Sequence, residues 1–301
     1  MSPAIRLIVC ALLATVTPSL RAATIEATTP ESMQQALILR VDGELTIDPQ
    51  GVPTDYQIKT ELPQKLRDSL QQHVHSWRFE PVLVGGRPAL AQTQMHVTLA
   101  AQGDGRDFRV TIDSVTFPQK HGQLPDGANE ADAPAAISYA KKPAIQYPLG
   151  AAQYGLEANV VVELLLTRDG HVHQAAIEQT ALFDVKGKPE LLAEAAHLFE
   201  QAVLAGVKSW RFNVASRRAD LSNADLTVRV PVSFSVPDSG HHHSNASWEQ
   251  IVRTTPPRRA PWLPTDPHDQ PAGVAEFADG QLAPAVQRRF RLSAPVVGSV
   301  L

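Results

Sequence analysis

One hexapeptide occurs twice in this chain, almost unchanged. It reads VHSWRF at residues 74–79 and VKSWRF at residues 207–212, so it contains two of the chain's four tryptophans. Such a repeat has two explanations. It is either a binding site that is needed in two copies, or the same structural corner of a small fold that is built twice. The residues that flank each copy help to distinguish these explanations.

The residues around the first copy predict two strands, a helix and a further strand. Apolar and polar residues alternate in LILRVDGELTID at 37–48, which is typical of a half-buried strand. A PQG turn at 49–51 precedes a short second strand that ends near Lys59. From Pro63 onward, apolar residues recur every four positions, as they do on the inward face of a helix. The alternating segment QMHVTLA at 94–100 is the last predicted strand.

The second copy has the same surroundings. NVVVELLLT at 159–167 predicts a strand that is apolar on both sides apart from one Glu. The RDGH segment that follows contains an Asp-Gly hairpin turn. Pro189 begins a helix, and LTVRVPVSFSV at 226–236 alternates without a break as the final strand. The order of elements is therefore the same in both halves.

The spacing of the elements also indicates a duplication. Trp77 precedes Met95 by 18 residues, and Trp210 precedes Val228 by the same number. We therefore predict an α+β fold with two small strand-strand-helix-strand domains, each with an antiparallel sheet. The hexapeptide is the corner between helix and strand, and a direct binding role for it is the alternative. The predicted structural core residues of the two corners are Trp77, Phe79, Trp210 and Phe212.

The first 22 residues have the three parts of a secretory signal peptide. Arg6 precedes the apolar run LIVCALLATV, and Ala22 stands at the expected cleavage point. The run is shorter than the roughly 20 apolar residues of a membrane span, and an uncleaved anchor is the alternative. Cleavage would remove Cys10, the only cysteine, so the mature chain would have no disulfide and no thiolate zinc site. We predict a periplasmic protein.

Residues 143–236 resemble the C-terminal domain of TonB, the protein that transmits inner-membrane proton-motive energy to outer-membrane receptors. The resemblance rests on six motifs in the expected order: QYP at 146–148, GLE at 155–157, VVVELLLT at 160–167, DGHV at 169–172, SWRF at 209–212 and VRVPVSF at 228–234. Residues 37–100 resemble the same domain more weakly, and they lack a Tyr-Pro element ahead of their first strand.

The chain departs from the energy-coupling members of the family in its N-terminal part. Those proteins keep a membrane helix with Ser and His facing the proton-driven motor, whereas residues 4–20 contain no His. Residues 101–142 are too short, and have the wrong composition, for the family's Pro/Lys-rich spacer. The resemblance therefore implies the receptor-facing module, doubled, without the motor half.

The resemblance also implies where a partner would bind. In the TonB family a receptor segment is held as an added strand close to the Tyr-Pro element, and edge strands bind extended peptides in this way. This implies Gln146, Tyr147 and Pro148 as partner-binding residues. The alternative is that Tyr147 and Pro148 only cap the short segment that follows them.

The last strand of the second half is the predicted docking edge. Pro231 lies in the middle of the strand at 225–236, and proline inside a strand indicates an edge. Its missing N–H would face outward, which limits self-association through this edge. The further partner-binding candidates are therefore Arg229, Pro231 and Ser233. Sheet edges of this kind also allow a homodimer.

The predicted organisation has five parts. They are a signal peptide at 1–22, a divergent TonB-C-like domain at 23–117, a linker at 118–142, a TonB-C-like domain at 143–236, and a Pro-rich, largely disordered tail at 237–301. In the tail, Phe290 and Leu292 alternate with arginines. This last stretch either adds a strand to one of the sheets or stays free.

Other chemistry has little support in the sequence. We predict no metal site or other cofactor, and the secondary candidates for metal ligands are His171, His173, His241, His242 and His243. We expect no enzyme activity, because no nucleophile elbow, H-E-x-x-H pair or phosphate-binding loop is present. The net charge of -4 gives no reason to expect nucleic acid as a partner.

Three functional hypotheses follow. The first is a periplasmic protein-interaction module that binds an envelope protein, such as a TonB-dependent outer-membrane receptor, by edge-strand addition. The alternative is a membrane-anchored TonB-type energy transducer for outer-membrane transport. A weaker alternative is a periplasmic metal-binding protein.

Overall fold

The structure is a computed structural model. It describes residues 32–103, 109–118, 135–216, 218–236, 247–265, 273–274, 279–286 and 289–301. The predicted signal peptide with Cys10, residues 119–134 of the predicted linker, and His241, His242 and His243 lie outside the described residues.

The described residues form three helices and a larger set of strands. The helices are α1 (Gln64–His75), α2 (Leu149–Ala152) and α3 (Pro189–Gly206), and α3 continues into a single 3-10 turn at Val207–Ser209. The strands are β1 (Ser32–Ile47), β2 (Pro53–Ile58), β3 (Leu83–Val84), β4 (Arg87–Pro88), β5 (Ala91–Gln102), β6 (Arg109–Thr116), β7 (Ala136–Lys141), β8 (Glu157–Leu166), β9 (Val172–Phe183), β10 (Arg211–Ala215), β11 (Thr227–Phe234), β12 (Glu249–Thr255) and β13 (Ala283–Pro284).

Nine of these strands form one sheet. Their order is β13-β11-β8-β9-β12-β1-β5-β6, and β2 pairs with the second half of β1. Neighbouring strands run antiparallel throughout. Two further pairs, β7 with β10 and β3 with β4, are also antiparallel. The fold is therefore α+β with antiparallel sheets and few helices.

The two halves of the chain contain the same unit. In the first repeat, β1 lies between β2 and β5, and α1 connects β2 to the corner that leads to β5. In the second repeat, β8 lies between β9 and β11, and α3 makes the equivalent connection. The second helix has 18 residues against 12 in the first. Trp77 follows the turn glycine Gly51 by 26 residues, whereas Trp210 follows Gly170 by 40, and the longer helix accounts for part of this difference.

The hexapeptide holds the hairpin turn of its own repeat. The N–H of Phe79 donates to the Gly51 carbonyl at 2.9 Å, and the N–H of Phe212 donates to the Gly170 carbonyl at 2.9 Å. Both glycines have a φ of +83°, which favours glycine over other residues. A Cβ at Gly51 or Gly170 would lie 2.0 or 1.8 Å from the carbonyl oxygen of the bonded phenylalanine. The corner and the turn therefore fix each other in both repeats.

The tryptophans of the two corners end the helices and fill the core. The backbone N–H of Trp77 and of Trp210 each donates, at 3.0 Å, to the carbonyl of the valine three residues earlier. The four aromatic side chains of the corners are 1–4% exposed: Trp77, Phe79, Trp210 and Phe212. The position of the repeated motif is thus that of a structural corner.

Both helices pack against one face of the sheet. Leu45 of β1, Leu70 of α1 and Trp77 belong to the core of the first repeat. Val162 of β8 and Phe199 of α3 belong to the core of the second repeat. Alternate residues of each strand point to this face. This explains why apolar and polar residues alternate in β1.

Residues around Ala260 and Leu263, in the C-terminal part of the chain, cover the opposite face of the sheet at the second repeat. All ten residues of β8 are buried, including Glu163. The backbone N–H of Ala260 donates to Glu163 Oε2 at 2.7 Å, and Ala260 and Leu263 form a small buried cluster on this side. A strand that is covered on both faces needs apolar residues on both. This explains why NVVVELLLT lacks the alternation that is seen in β1.

The prediction of a disordered tail is wrong for residues 249–255. They form β12, which pairs with Ser32–Ile38 of β1 on one side and with Ala181–Phe183 of β9 on the other. Strand β1 extends several residues beyond β2 and leaves an edge that β12 fills. As a result, the two repeats share one sheet rather than forming separate sheets in two domains.

The predicted linker and the chain end also contain paired segments. Within the predicted linker, Ala136–Lys141 forms β7, which pairs with β10 beside the second corner. At the first corner, Leu292 forms the equivalent bridge with Phe79. Phe290 and Leu292 are both 3% exposed and belong to the core of the first repeat. Each corner is therefore covered by an extended segment from elsewhere in the chain.

Candidate functional site

Strand β11 lies between β8 and β13, so one edge of its backbone faces β8 and the other faces β13. We call the second of these the β11 edge. The carbonyls of Thr227 and Pro231 accept hydrogen bonds on this edge, and the N–H of Ser233 donates one. Both polar groups of a strand residue point to the same side, so the missing N–H of Pro231 also falls here. The β11 edge is therefore a short strand edge with one backbone donor absent.

Residues 279–285, which we call the cis segment, occupy the β11 edge. Within the cis segment, β13 pairs with two residues of β11. The N–H of Gly280 donates to the Pro231 carbonyl at 2.9 Å, and the N–H of Ala285 lies 3.4 Å from the Thr227 carbonyl. These are the main-chain bonds that an added strand would make.

Side-chain contacts, in addition to the β13 ladder, hold the start of the cis segment. Asp279 accepts the N–H of Ser233 at 2.8 Å, and its second carboxylate oxygen lies 3.7 Å from Lys142 Nζ. The hydroxyl of Tyr139 donates to the carbonyl of Gly280 at 2.9 Å. Burial, and secondarily the charge of Asp279, raise the pKa of Tyr139 well above its ordinary value, so this hydroxyl keeps its proton.

Lys142 connects this site to the corner of the second repeat. Its ammonium lies 5.4 Å from the ring centroid of Tyr139 and 5.5 Å from that of Trp210. Cations are attracted to aromatic faces at such distances. Lys142 is therefore positioned by the two rings beside the carboxylate of Asp279.

Arg229 is buried, and its prediction as a partner-facing residue is wrong. Its side chain is 7% exposed, and its Nε donates to the carboxylate of Glu178. Its second guanidinium nitrogen lies 3.4 Å from Glu163 Oε1. Glu178 reaches this position because it is the extra residue of a bulge in β9. The residues around Ala260 and Leu263 cover this face of the sheet, so Arg229 is not at the surface.

The other two candidates of the strand lie on the β11 edge itself. Pro231 accepts the N–H of Gly280, and Ser233 donates to Asp279. Ser233 is exposed, and its hydroxyl lies 3.4 Å from the side-chain oxygen of Asn159. The structure thus brings Pro231 and Ser233 together at one edge, with the cis segment as its present occupant.

The Gln146-Tyr147-Pro148 element lies at the start of α2. Gln146 is exposed, and Pro148 is the N-cap residue of α2. The hydroxyl of Tyr147 donates to the Leu156 carbonyl, and its ring lies 5.8 Å from that of Phe199. Burial, and secondarily the charge of Glu157, raise the pKa of Tyr147. The contacts of Tyr147 fit the capping alternative, and Gln146 is the residue of the three that faces solvent.

Of the histidine candidates, the structure describes His171 and His173. His171 and His173 are exposed, and His171 Nδ1 lies 2.9 Å from the carboxylate of Asp169. Hydrogen bonding from the Thr167 side chain is the main cause that lowers the pKa of Asp169, and a backbone hydrogen bond and the neighbouring His171 act in the same direction. Within the described ranges, no group of three or more His, Cys, Asp or Glu is placed to hold a metal ion.

No family model, curated protein or solved structure that was compared with this chain matches it. In the part of the chain that the structure describes, no helix combines the length and the apolar character that crossing a membrane requires.

Sequence reasoning missed the residues that hold the cis segment. Tyr139 and Lys142 fell in or at the end of the predicted linker, and Asp279 and Gly280 fell in the predicted disordered tail. The sequence signalled only a neighbouring feature: β8 is apolar on both sides, so a segment outside the predicted repeats had to cover its second face, where Ala260 lies. The signal does not identify that segment, because several stretches of the tail are apolar enough.

Proposed function

We propose that this chain is a protein-interaction module of the cell envelope, which binds an extended segment of a partner protein as an added strand at the β11 edge. One observation carries the proposal. The β11 edge is bonded through its main chain to a short cis segment, so it already has the geometry that strand addition requires. An envelope partner such as a TonB-dependent outer-membrane receptor would supply the added strand.

We also propose that each repeat is a TonB C-terminal-like domain. Two motifs that carry the resemblance, DGHV and SWRF, meet in space where Phe212 bonds to Gly170. The first repeat has the same contact between Phe79 and Gly51. The common strand-strand-helix-strand order supports the same assignment for both halves.

Site-specific photocrosslinking in cells tests the docking edge. A photoreactive side chain at Ser233 lies on the β11 edge, whereas one at Gln94 lies on the exposed side of β5, the equivalent strand of the first repeat. We expect a discrete crosslinked partner from position 233 and none from position 94. The crosslinked partner peptide should lie in a segment that is extended or flexible in the free partner. Identical adducts from both positions, or none from position 233, would contradict the proposal.

Cell fractionation with intact-mass measurement tests the envelope location. A species in osmotic-shock fluid that begins near Ala23 is the expected result. A full-length species confined to membranes would instead support the energy-transducer alternative, in which residues 4–20 remain as an anchor.

A further inference from the structure

The cis segment makes more side-chain contacts than the covering of a sheet edge requires. Its ladder with β11 comprises only two residues, Ala283 and Pro284. It nevertheless begins with Asp279, whose carboxylate is held by the Ser233 N–H and lies near Lys142. A main-chain ladder accepts almost any sequence, whereas contacts to a carboxylate select an acidic side chain.

The residue after the carboxylate is also selected. Gly280 has a φ of +69°, which glycine adopts at little cost and other residues do not. Its carbonyl accepts the Tyr139 hydroxyl at 2.9 Å, and its N–H donates to Pro231. A Cβ at this position would meet Lys142 Nζ at 2.0 Å, so the ammonium would have to leave its place beside Asp279. The site therefore fits an acidic residue followed by glycine.

Two small residues follow at alternate positions. Ala283 is 5% exposed and Ala285 is fully buried. Ala285 packs in the small cluster with Ala260 and Leu263. Larger side chains at these two positions would overpack a closed site. The third and fifth residues after the glycine must therefore be small and apolar.

The cis segment is held much less firmly than the other strand of the same C-terminal region. Strand β12 has seven residues and is paired on both sides, whereas β13 has two residues and is paired on one side. The side chain of Asp279 is 54% exposed and that of Lys142 is 32% exposed. Segments with few bonds open locally at a small part of the free energy of global unfolding. The cis segment can therefore leave while β12 stays in place.

We infer that the β11 edge recognises a partner segment in which an acidic residue and a glycine are followed by small apolar residues at the third and fifth positions after the glycine. Residues 279–285 are a built-in substitute for that segment. The partner is an extended stretch of another protein, and the inference rests on the proposed function of the β11 edge.

The probe is the synthetic peptide DGQLAPAV, which copies residues 279–286. It is titrated into the full-length mature protein while the Ser233 amide is followed by NMR. A Gly280→Val variant weakens the cis segment, because a β-branched residue disfavours the positive φ. We expect the peptide to bind this variant about tenfold more tightly than the wild type, because the internal competitor is weakened. A matched peptide with Lys in place of Asp should bind the variant about fivefold more weakly.

The outcomes separate the inference from the proposed function. Equal affinity of the variant for the two peptides would overturn the recognition of an acidic residue while leaving strand addition intact. If neither peptide moves the Ser233 amide of a folded variant, strand addition at this edge fails as well. If Gly280→Val does not fold, Asp279→Lys weakens the same contact without changing the backbone.

The Lys142→Ala variant supplies the second readout. It is made together with the weakened cis segment and compared with the same two peptides. A purely structural Lys142 would leave the ratio of the two affinities unchanged. We expect the ratio to fall from about fivefold toward unity, because the positive partner of the carboxylate has been removed. An unchanged ratio would contradict the assigned role of Lys142.

Discussion

The two repeats have the same core and differ at their outer edges. In the first repeat, β5 is paired with β6 along its second half. In the second repeat, the equivalent strand β11 is paired with only two residues of β13, and side chains hold the rest of the cis segment. The corner and the turn are therefore alike in the two repeats, but one last strand has a long partner strand and the other has a short one. The β11 edge therefore has the shorter main-chain ladder of the two.

A cross-strand pair of polar residues shows the same divergence. Arg229 of β11 lies opposite Glu163 of β8, and His96 of β5 lies opposite Asp42 of β1. The first pair is buried, with side chains 7% and 1% exposed, and the second is more accessible, at 12% and 28%. Each of the two last strands thus has a polar side chain opposite a carboxylate of the neighbouring strand, and the two pairs differ in burial and chemistry.

The largest expected effect is the loss of a corner tryptophan. Trp77→Ala and Trp210→Ala should each lower the free energy of unfolding by about 3–5 kcal/mol. The indole N–H of Trp210 donates to the Pro143 carbonyl at 2.9 Å, whereas that of Trp77 has no partner among the described residues. Trp210→Ala should therefore cost about 1 kcal/mol more. Chemical denaturation measures both values, and an unchanged midpoint for either variant would refute the corner as core.

Removal of the buried arginine comes next. Arg229→Met should cost about 3 kcal/mol, because the buried carboxylates of Glu163 and Glu178 would lose the guanidinium that lies between them. His96→Leu in the first repeat is the matched change. It should cost about 1 kcal/mol, since Asp42 is more accessible and keeps Arg40 Nε at 2.7 Å. Equal losses in urea denaturation would show that the two pairs have not diverged in energy.

The turn glycines should follow. Gly51→Ala and Gly170→Ala should each cost about 2–3 kcal/mol, because the new Cβ meets a backbone carbonyl and φ is positive. Gly298→Ala is the control, since its φ is +84° but no atom lies within 4 Å of the added Cβ. Its cost should be about 1 kcal/mol. If all three variants unfold at the same denaturant concentration, the contact between corner and turn contributes nothing.

Tyr147 distinguishes a cap from a partner-binding residue. Tyr147→Ala should cost about 2 kcal/mol, since its ring packs against Phe199 and Phe234. Gln146→Ala should leave folding unchanged because its side chain is exposed. The crosslinking yield at Ser233 is measured for both variants. A loss of yield with Tyr147→Ala and no change in unfolding would contradict the capping role.

The smallest effect concerns Tyr139. Tyr139→Phe should cost about 1 kcal/mol near neutral pH, because the Gly280 carbonyl loses its donor. Burial raises the pKa of Tyr139 in the folded state. Its stabilising contribution is therefore complete below the ordinary tyrosine pKa of about 10 and is lost as pH rises above that value. The stability of Tyr139→Phe should fall less steeply than that of the wild type above pH ~10, as measured by denaturation at several pH values.

Local patterns in the sequence were sufficient for the repeated unit. The alternation at 37–48, the helix that begins near Pro63 and the equal spacing to Met95 and Val228 all concern residues close together in the chain. They predict each element because side-chain periodicity follows directly from helix and strand geometry. The burial of Trp77 and Trp210 follows from the same patterns.

Long-range pairing could not be predicted in this way. Residues 249–255 pair with a part of β1 that lies more than two hundred residues earlier in the chain. Nothing in their own sequence pattern indicates that β1 is the strand they pair with. The contacts of Asp279 with Ser233 and Lys142 likewise depend on how the C-terminal region runs over the sheet. The alternation around Phe290 indicated an extended segment, but its place beside Phe79 required the folded chain.

Native-state hydrogen exchange tests most directly whether the cis segment can leave the β11 edge while the rest of the protein stays folded. The Gly280 and Ser233 amides bond across the β11 edge, whereas the amides of β12 lie in the centre of the sheet. We predict that the two edge amides exchange by local opening, at least about 100-fold faster than the β12 amides and with little dependence on denaturant. Exchange of all these amides with the free energy of global unfolding would contradict the account, because the β11 edge would then be closed to any partner in the folded protein.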